Sequence, residues 1–354
     1  MESLLRSWDG EAVIIHFDHP TGAWIVIAIH STRLGPAGGG TRMKTYPDLP
    51  AAVQDAMRLA AAMTYKFAIP GIAMGGGKAV IALPPDFDQR LRPTLLRHYG
   101  TLVHQLRGLF YTGPDVGTSA ADMDIIAETG APYIFGRTPA AGGAGDTGPL
   151  TAIGVFTGMQ VTCAQLFGSP SLHRRRILVQ GAGSVGRSLI ERLCAAGAEV
   201  YFSDIDEEVV QELLKTLPVT FVAPDDVYTT ECDIFAPCAL GGILNRDTIP
   251  LLKCKAVVGA ANNQLATPED ADRLQAREIL YAPDYVVNAG AVLGIPGIET
   301  MGWSQAEAEQ RVIEGIRHAL QEIFHLATTE GMTTEMAARR VAEARLASSP
   351  KGDA

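Results

Sequence analysis

Two runs rich in β-branched residues, 11–17 and 23–30, open the regular part of the chain, with Asp18-His19-Pro20-Thr21-Gly22 between them. Such runs around a loop holding Pro and Gly predict a β-hairpin. Leu34-Gly35-Pro36-Ala37-Gly38-Gly39-Gly40-Thr41-Arg42 follows, with little bulk and no period. It reads as a flexible turn that either links elements or lines a pocket. The period then becomes helical. Val53, Met57 and Ala60 recur behind Asp48, a capping residue, which predicts a helix over 48–62. Residues 91–106 read as a second amphipathic helix. Beyond the glycine-rich stretch 142–149 the texture alternates. A long helix over 151–167 precedes strands at 176–180, 199–203, 232–236, 256–259 and 279–282, several separated by helical stretches. That order predicts a doubly wound parallel sheet. Amphipathic helices over 304–327 and 333–346 close the pattern.

Length sharpens this into two domains, because 354 residues exceed one ordinary core. The expected division is an α/β domain over 1–141 and a doubly wound domain over 142–330, with the helix at 331–350 packing back on the first. A net charge of −10 argues against a nucleic-acid partner, which calls for a basic face. The five cysteines form no C-x-x-C pair and lie in apolar runs, as reduced core thiols of a cytoplasmic protein would. The N-terminus has no signal-peptide pattern. No apolar run is read as reaching the ~20 residues of a membrane helix. The eight histidines show no metal-ligand spacing.

Two lysines, Lys66 and Lys78, stand among Met, Phe, Ala, Ile and Val, although lysine is rarely buried unpaired. Lys78 follows Gly75-Gly76-Gly77 and enters a β-like run, which reads as a turn aiming an amine into a cleft. A phosphate loop is excluded: Ile72 stands where its first glycine belongs and Ala79 where Ser or Thr should follow. A solvated turn lysine is the plain alternative. Burial and a second ammonium nearby would both lower a lysine pKa toward that of a general base. Asp115, in Thr112-Gly113-Pro114-Asp115-Val116-Gly117, is either a turn-forming aspartate or a catalytic one.

The clearest motif is Gly181-Ala182-Gly183-Ser184-Val185-Gly186, between a predicted strand and a predicted helix. That is the dinucleotide fingerprint in its required context, with Gly181, Gly183, Ser184, Val185 and Gly186 at the cofactor phosphates. Asp204 ends the next strand, about 20 residues on, where a carboxylate accepts from ribose hydroxyls and disfavours a 2′-phosphate. NAD is the expected cofactor. The alternative for Asp204 is a solvated strand end. Ala239, Ala260, Asn262 and Asn288 lie on loops at the carboxyl edge of the sheet, where ligands of such folds bind. Asn262 is a contact for nicotinamide or substrate, or else a loop cap.

Together, Met63-Thr64-Tyr65-Lys66, Gly75-Gly76-Gly77-Lys78, Asp115-Val116-Gly117-Thr118, the fingerprint, Ala236-Pro237-Cys238-Ala239-Leu240-Gly241 and Ala260-Ala261-Asn262-Asn263 make the chain resemble the amino acid dehydrogenases of the Glu/Leu/Phe/Val family, over roughly 31–346. The resemblance implies two domains with an active-site cleft between them, a homo-oligomer, and oxidative deamination of an L-amino acid to its 2-oxo acid and ammonia with reduction of NAD. It also implies roles. Lys66 binds the substrate carboxylate, Lys78 activates the attacking water, and Asp115 exchanges protons with the amine. Asn262 touches cofactor and substrate, and the Gly39 and Gly40 backbones line the amino acid site. Gly38 and Gly113 make room and favour phenylalanine or another aromatic side chain, whereas Val292 and Ile295 look closer to the leucine and valine branch. Ala291 replaces a family glycine, and Gly294-Ile295-Pro296-Gly297 depart from the helix usual there. A non-catalytic NAD-binding sensor would have no need of Lys66, Lys78 and Asp115 together. A 2-hydroxy acid oxidoreductase would call for a His base and an Arg clamp, which are not evident at these motifs.

Overall fold

The structure is a computed structural model, and it describes residues 2–348. The chain forms two compact units. Among the described residues, 2–146, 295–303 and 342–348 make the first; 147–294 and 304–341 make the second. The division falls at Asp146/Thr147, and a nine-residue return, Ile295–Trp303, joins the first unit. Residues 349 and 350, the end of the expected C-terminal helix, lie outside the described residues.

In chain order the first unit holds α1 (Glu2–Arg6), β1 (Ala12–Asp18), β2 (Ala23–Ser31), β3 (Ala37–Thr45), α2 (Leu49–Ala68), β4 (Gly75–Leu83), α3 (Arg92–Gln105), β5 (Phe110–Pro114) and α4 (Ala120–Gly130). The sheet order is β1-β2-β4-β3-β5. β1 and β2 form the hairpin, β4 runs antiparallel to β2, and β3 is parallel to both β4 and β5. Strand side chains alternate between faces. Ile25, Ile27, Ile29, Ala79 and Ile81 pack on Leu95, Leu96, Tyr99 and Val103 of α3. Val26, Ala28, Val80 and Ala82 pack on Ala52, Val53, Ala56, Met57 and Ala60 of α2. Both faces are covered, so β2 and β4 read as continuous apolar runs.

Three sequence expectations change here. The segment 34–42 is not a turn, since from Ala37 it is strand β3, paired on both sides. Its glycines reflect crowding: a Cβ at Gly39 would stand 1.8 Å from the Gly77 carbonyl oxygen. Gly75 to Gly77 likewise belong to β4 rather than to a turn before it. Helix α2 does not stop at 62. Capped by the Asp48 carboxylate on the Ala51 N–H at 2.8 Å, it continues to Ala68, so Lys66 sits in its last turn. A cation there faces the negative end of the helix dipole.

The second unit holds α5 (Gly148–Phe167), β6 (Arg176–Gln180), α6 (Ser184–Ala195), β7 (Glu199–Ser203), α7 (Glu207–Thr216), β8 (Val219–Phe221), β9 (Ile234–Pro237), β10 (Ala256–Val257), α8 (Glu269–Ala276), β11 (Leu280–Tyr281) and α9 (Asp284–Val287). Then come α10 (Gly290–Met301), whose end lies in the first unit, α11 (Gln305–Glu330) and α12 (Thr334–Ser348), whose part from Ala342 lies in the first unit. The sheet is parallel throughout, in the order β11-β10-β9-β6-β7-β8. Strand order reverses about β6, the switch point where such sheets take their ligands. Against the membrane expectation, α5 is long and apolar enough to cross a bilayer by length and composition alone. Two-thirds of it is buried in the unit, as in a core helix. Helix α10 continues through Pro296. Gly297 lies against the Trp303 ring, where a Cβ would stand 1.8 Å from Cε3.

Candidate active site

In the first unit the candidate chemistry gathers where β3, β4 and the turn after β5 meet. Lys78 projects from the α2-facing side of β4, the side that also carries Val80 and Ala82. It is only 5% exposed, and its Nζ lies 3.0 Å from Asp115 Oδ2. The solvated-turn alternative therefore fails. The turn that carries Asp115 is tied down locally: the Thr118 Oγ1 accepts from the Asp115 N–H at 2.9 Å and donates to the Thr41 carbonyl at 2.8 Å. Gly117 follows with φ +83°, where a Cβ would strike the Met43 carbonyl. Gly40 lies against the ion pair, since a Cβ there would be 2.9 Å from Asp115 Cβ and 3.3 Å from Lys78 Nζ. Only glycine leaves that approach open.

Burial pushes the Lys78 ammonium below the usual lysine pKa, although the Asp115 charge pulls it back up. Burial would raise the Asp115 carboxyl, but Lys78 and Arg42 outweigh it and hold the carboxyl below the ordinary aspartate value. Arg42 was not anticipated. Its Nε donates to Asp115 Oδ2 at 2.9 Å and its Nη1 to Asp55 Oδ2 at 3.0 Å. The signal was two residues away, because in a strand Arg42 shares a face with Gly40, and reading 34–42 as a turn hid that period.

Lys66 is half-buried in α2. Gly38 does not open empty space here. The position of a Cβ at Gly38 is 2.5 Å from Met74 Cε and 3.0 Å from the Phe67 ring, so those side chains fill the room the glycine leaves. Gly113 is different, for its nearest neighbour would be the Phe135 carbonyl oxygen at 3.5 Å, an ordinary contact. Tyr111 stacks on Phe135 beside it, with ring centroids 5.3 Å apart. Val292 is half-buried in the part of α10 within the second unit, and Ile295 is buried in the part within the first.

In the second unit the fingerprint glycines form the turn from β6 into α6. Gly181 takes φ +94° and packs on Ala239, with a Cβ position 2.8 Å from the Ala239 Cβ. Gly186 lies under the Gly181 carbonyl. At Gly183, the α6 N-cap, a Cβ would meet nothing within 4 Å. Ser184 and Val185 open α6, and Gly148 at the start of α5 fits against Ser184, its Cβ position 1.9 Å from Oγ. This open, glycine-lined helix N-terminus suits a pyrophosphate. Asp204 Oδ2 accepts from the Ala182 N–H at 2.6 Å and Oδ1 from the Asp206 N–H at 2.9 Å. Each carboxylate oxygen keeps a further acceptor site for a ribose hydroxyl. Asn288 is buried and donates through Nδ2 to the Ala260 carbonyl at 3.0 Å and to Asn262 Oδ1 at 2.8 Å. It holds the exposed Asn262 from behind.

Two family models match these regions. One, described as the Glu/Leu/Phe/Val dehydrogenase dimerisation domain, covers residues 19–131, and the other, Glutamate/Leucine/Phenylalanine/Valine dehydrogenase, covers 203–352. The chain belongs to the Glu/Leu/Phe/Val dehydrogenase family. Curated relatives named leucine, valine and phenylalanine dehydrogenase match it at 41%, 44% and 42% identity. The leucine dehydrogenase of Bacillus subtilis aligns over 97% of this chain and 93% of its own length. For the phenylalanine dehydrogenase of Lysinibacillus sphaericus the shares are 93% and 87%. Among solved structures, the L-tryptophan dehydrogenase of Nostoc punctiforme superposes with a TM-score of 0.84 at 37% identity, covering 99% of each chain. The protein is thus an amino acid dehydrogenase with an N-terminal dimerisation-type domain and a C-terminal domain built on a parallel sheet.

Proposed function

We propose that this dehydrogenase deaminates an L-amino acid with a large apolar side chain, phenylalanine or another aromatic first, using NAD and working as a cytoplasmic homo-oligomer. The observation that carries the reading is the buried Lys78–Asp115 pair at 3.0 Å beside Gly40. A lysine whose ammonium is destabilised by burial is suited to act as a base. The first unit is the substrate and oligomerisation domain, and the second holds the cofactor. Bound there, NAD would supply the acceptor for the hydride of the substrate Cα. Lys66 binds the substrate carboxylate and the Gly39 and Gly40 backbones flank the amino acid. Asp115 takes a proton from the amine so that it can become an imine. Lys78 then draws a proton from water as its oxygen adds to the imine carbon; Asp115 returns its proton to the nitrogen, and as the C–N bond breaks the new hydroxyl releases its proton to solvent, leaving the 2-oxo acid and ammonia. In the second unit Gly181, Gly183, Ser184, Val185 and Gly186 hold the pyrophosphate. Asp204 binds the ribose hydroxyls, and Ala239, Ala260, Asn262 and Asn288 line the nicotinamide side. The Asp204 carboxylate would repel a 2′-phosphate, which favours NAD over NADP.

An aromatic substrate is supported by the space at Gly113 and the aromatic pair beside it. The branched-chain alternative has its own support, since Met74 and Phe67 fill the space at Gly38, and Val292 and Ile295 are aliphatic. The test is NADH formation at 340 nm with L-Phe, L-Trp, L-Tyr, L-Leu, L-Val, L-Ile and L-Glu. An aromatic winner supports the first reading, and Leu or Val the second. NADH binding with no turnover of any of them would make the protein a cofactor sensor and overturn both.

A further inference from the structure

Asp115 accepts from two cations through the same oxygen. Oδ2 lies 3.0 Å from Lys78 Nζ and 2.9 Å from Arg42 Nε. No described residue donates to Oδ1. Arg42 is itself clamped from its far side. Its Nη1 donates to Asp55 of α2, and the same Asp55 Oδ2 accepts from the Tyr46 hydroxyl at 2.7 Å. Asp55 Oδ1 accepts from Arg58 at 2.8 Å. The side chains of Arg42 and Asp55 are only 17% and 14% exposed. Among the described contacts, the charged groups at Asp115 are Lys78 from β4 and Arg42 from β3, with Asp55 and Arg58 of α2 behind Arg42.

Arginine keeps its proton in proteins, so Arg42 cannot be an acid or a base here. A lysine that acts as a base, however, must spend part of the cycle neutral. In that state Asp115 loses one of its two compensating charges. A buried carboxylate left alone would take up a proton. We propose that Arg42, held by Asp55, is the positioning residue of the proton-transfer pair: it keeps Oδ2 of Asp115 turned to the cations and charge-compensated while Lys78 is neutral, and so leaves Oδ1 to exchange protons with the substrate amine. This rests on the roles assigned above to Lys78 and Asp115. The Arg42 charge also disfavours a second cation at Lys78, adding to the effect of burial on that amine.

The test uses Arg42→Met, Arg42→Lys and Asp55→Asn in the full chain, measuring the pH profile of kcat/KM for the best substrate and NADH binding by fluorescence. Activity needs neutral Lys78, so kcat/KM rises with pH through the Lys78 pKa. Without the Arg42 charge that rise should move alkaline by about one pH unit. The plateau should fall by about 100-fold, the scale of a disturbed proton transfer, with NADH binding within twofold of wild type. Arg42→Lys should restore the position of the rise but little of the rate, because an ammonium cannot bridge two carboxylates as the planar fork does. An unshifted rise, or kcat/KM of Arg42→Met within threefold of wild type, overturns the proposal. Should Arg42→Met fail to fold, Asp55→Asn decides: it keeps the Arg42 charge and loosens its anchor, and a kcat drop of about tenfold is expected, whereas an unchanged kcat overturns the idea. Wild-type turnover separates the two layers. If wild type deaminates its substrate and the variants match it, only the role of Arg42 falls. If wild type turns over no amino acid, the functional reading falls and this inference with it.

Discussion

In the first unit the charges are side chains drawn from far apart: Arg42, Asp55, Lys78 and Asp115 come from two strands, a helix and a turn. In the second unit the groups proposed for the cofactor phosphates are mostly backbone, gathered within one short turn, and the carboxylate of Asp204 bonds to the N–H of Ala182 inside that turn. The difference follows from the tasks. Proton transfer needs groups that change charge, and these need compensation wherever water is excluded. Phosphate binding needs fixed donors and close approach, which glycines at a helix N-terminus supply. The first site should therefore break when a charge is removed, and the second when an atom is added.

The largest effect is expected at Lys78. Lys78→Ala should lower kcat by about 10²–10⁴-fold, the usual range for a lost acid–base group, while NADH still binds. The fold should survive, because Asp115 keeps Arg42 as its partner at 2.9 Å. Steady-state kinetics beside NADH titration reads both, and retained turnover would remove Lys78 from the chemistry. The counterpart in the second unit is Gly183→Ala. A methyl there meets no protein atom within 4 Å, so the unit should melt as wild type does. The methyl would stand where the pyrophosphate approaches, and NADH affinity should fall by about tenfold, or 1.4 kcal/mol. Unchanged affinity would mean that the cofactor does not use this turn.

The same contrast governs how much could be read from the sequence. In the second unit the candidate cofactor turn was legible because it is local: strand, glycine turn, helix and terminal aspartate follow in one stretch, and only glycine fits φ +94° at Gly181 against Ala239. In the first unit Lys78 stands out as a charge in apolar surroundings and Asp115 as an aspartate on a glycine–proline turn, yet the pairing that makes them a candidate site spans 37 positions and depends on sheet order. Gly38 to Gly40 looked like a turn because turns and crowded strands use glycine for different reasons that leave the same letters. That misreading hid the strand period and with it Arg42. The room that the resemblance implies at Gly38 is a separate matter: Met74 and Phe67, distant in sequence, occupy that space. The stripe of Val53, Met57 and Ala60 alone predicts too short a helix, because α2 goes on to bury Thr64, Phe67 and Ala68 and carries Lys66 in its last turn.

A smaller effect is expected at Asp204. Asp204→Asn keeps an acceptor for the Ala182 N–H and removes the charge, so the turn should hold while the preference for NAD weakens. A hydrogen bond to a charged group is worth about 1.5–3 kcal/mol. The ratio of kcat/KM values for NAD and NADP should fall by about tenfold or somewhat more. A ratio that stays put would reduce Asp204 to a brace for the glycine turn.

The smallest effect is expected at Gly38, one of the two glycines proposed for the substrate pocket, and here the first unit can be set against itself. At Gly113 a methyl would sit 3.5 Å from the Phe135 carbonyl oxygen, in ordinary contact, and so would take volume without moving the protein. At Gly38 it would press on Met74 Cε at 2.5 Å, the far end of a flexible side chain that can rotate away. One methylene in an apolar pocket is worth about 1–3 kcal/mol. Gly113→Ala should therefore lower the kcat/KM ratio of L-Phe to L-Leu by about tenfold, and Gly38→Ala by less than about threefold because Met74 absorbs the change. The reverse order would mean that Met74 leaves Gly38 when substrate enters, so that the room this glycine makes is opened by the ligand and belongs to the pocket after all.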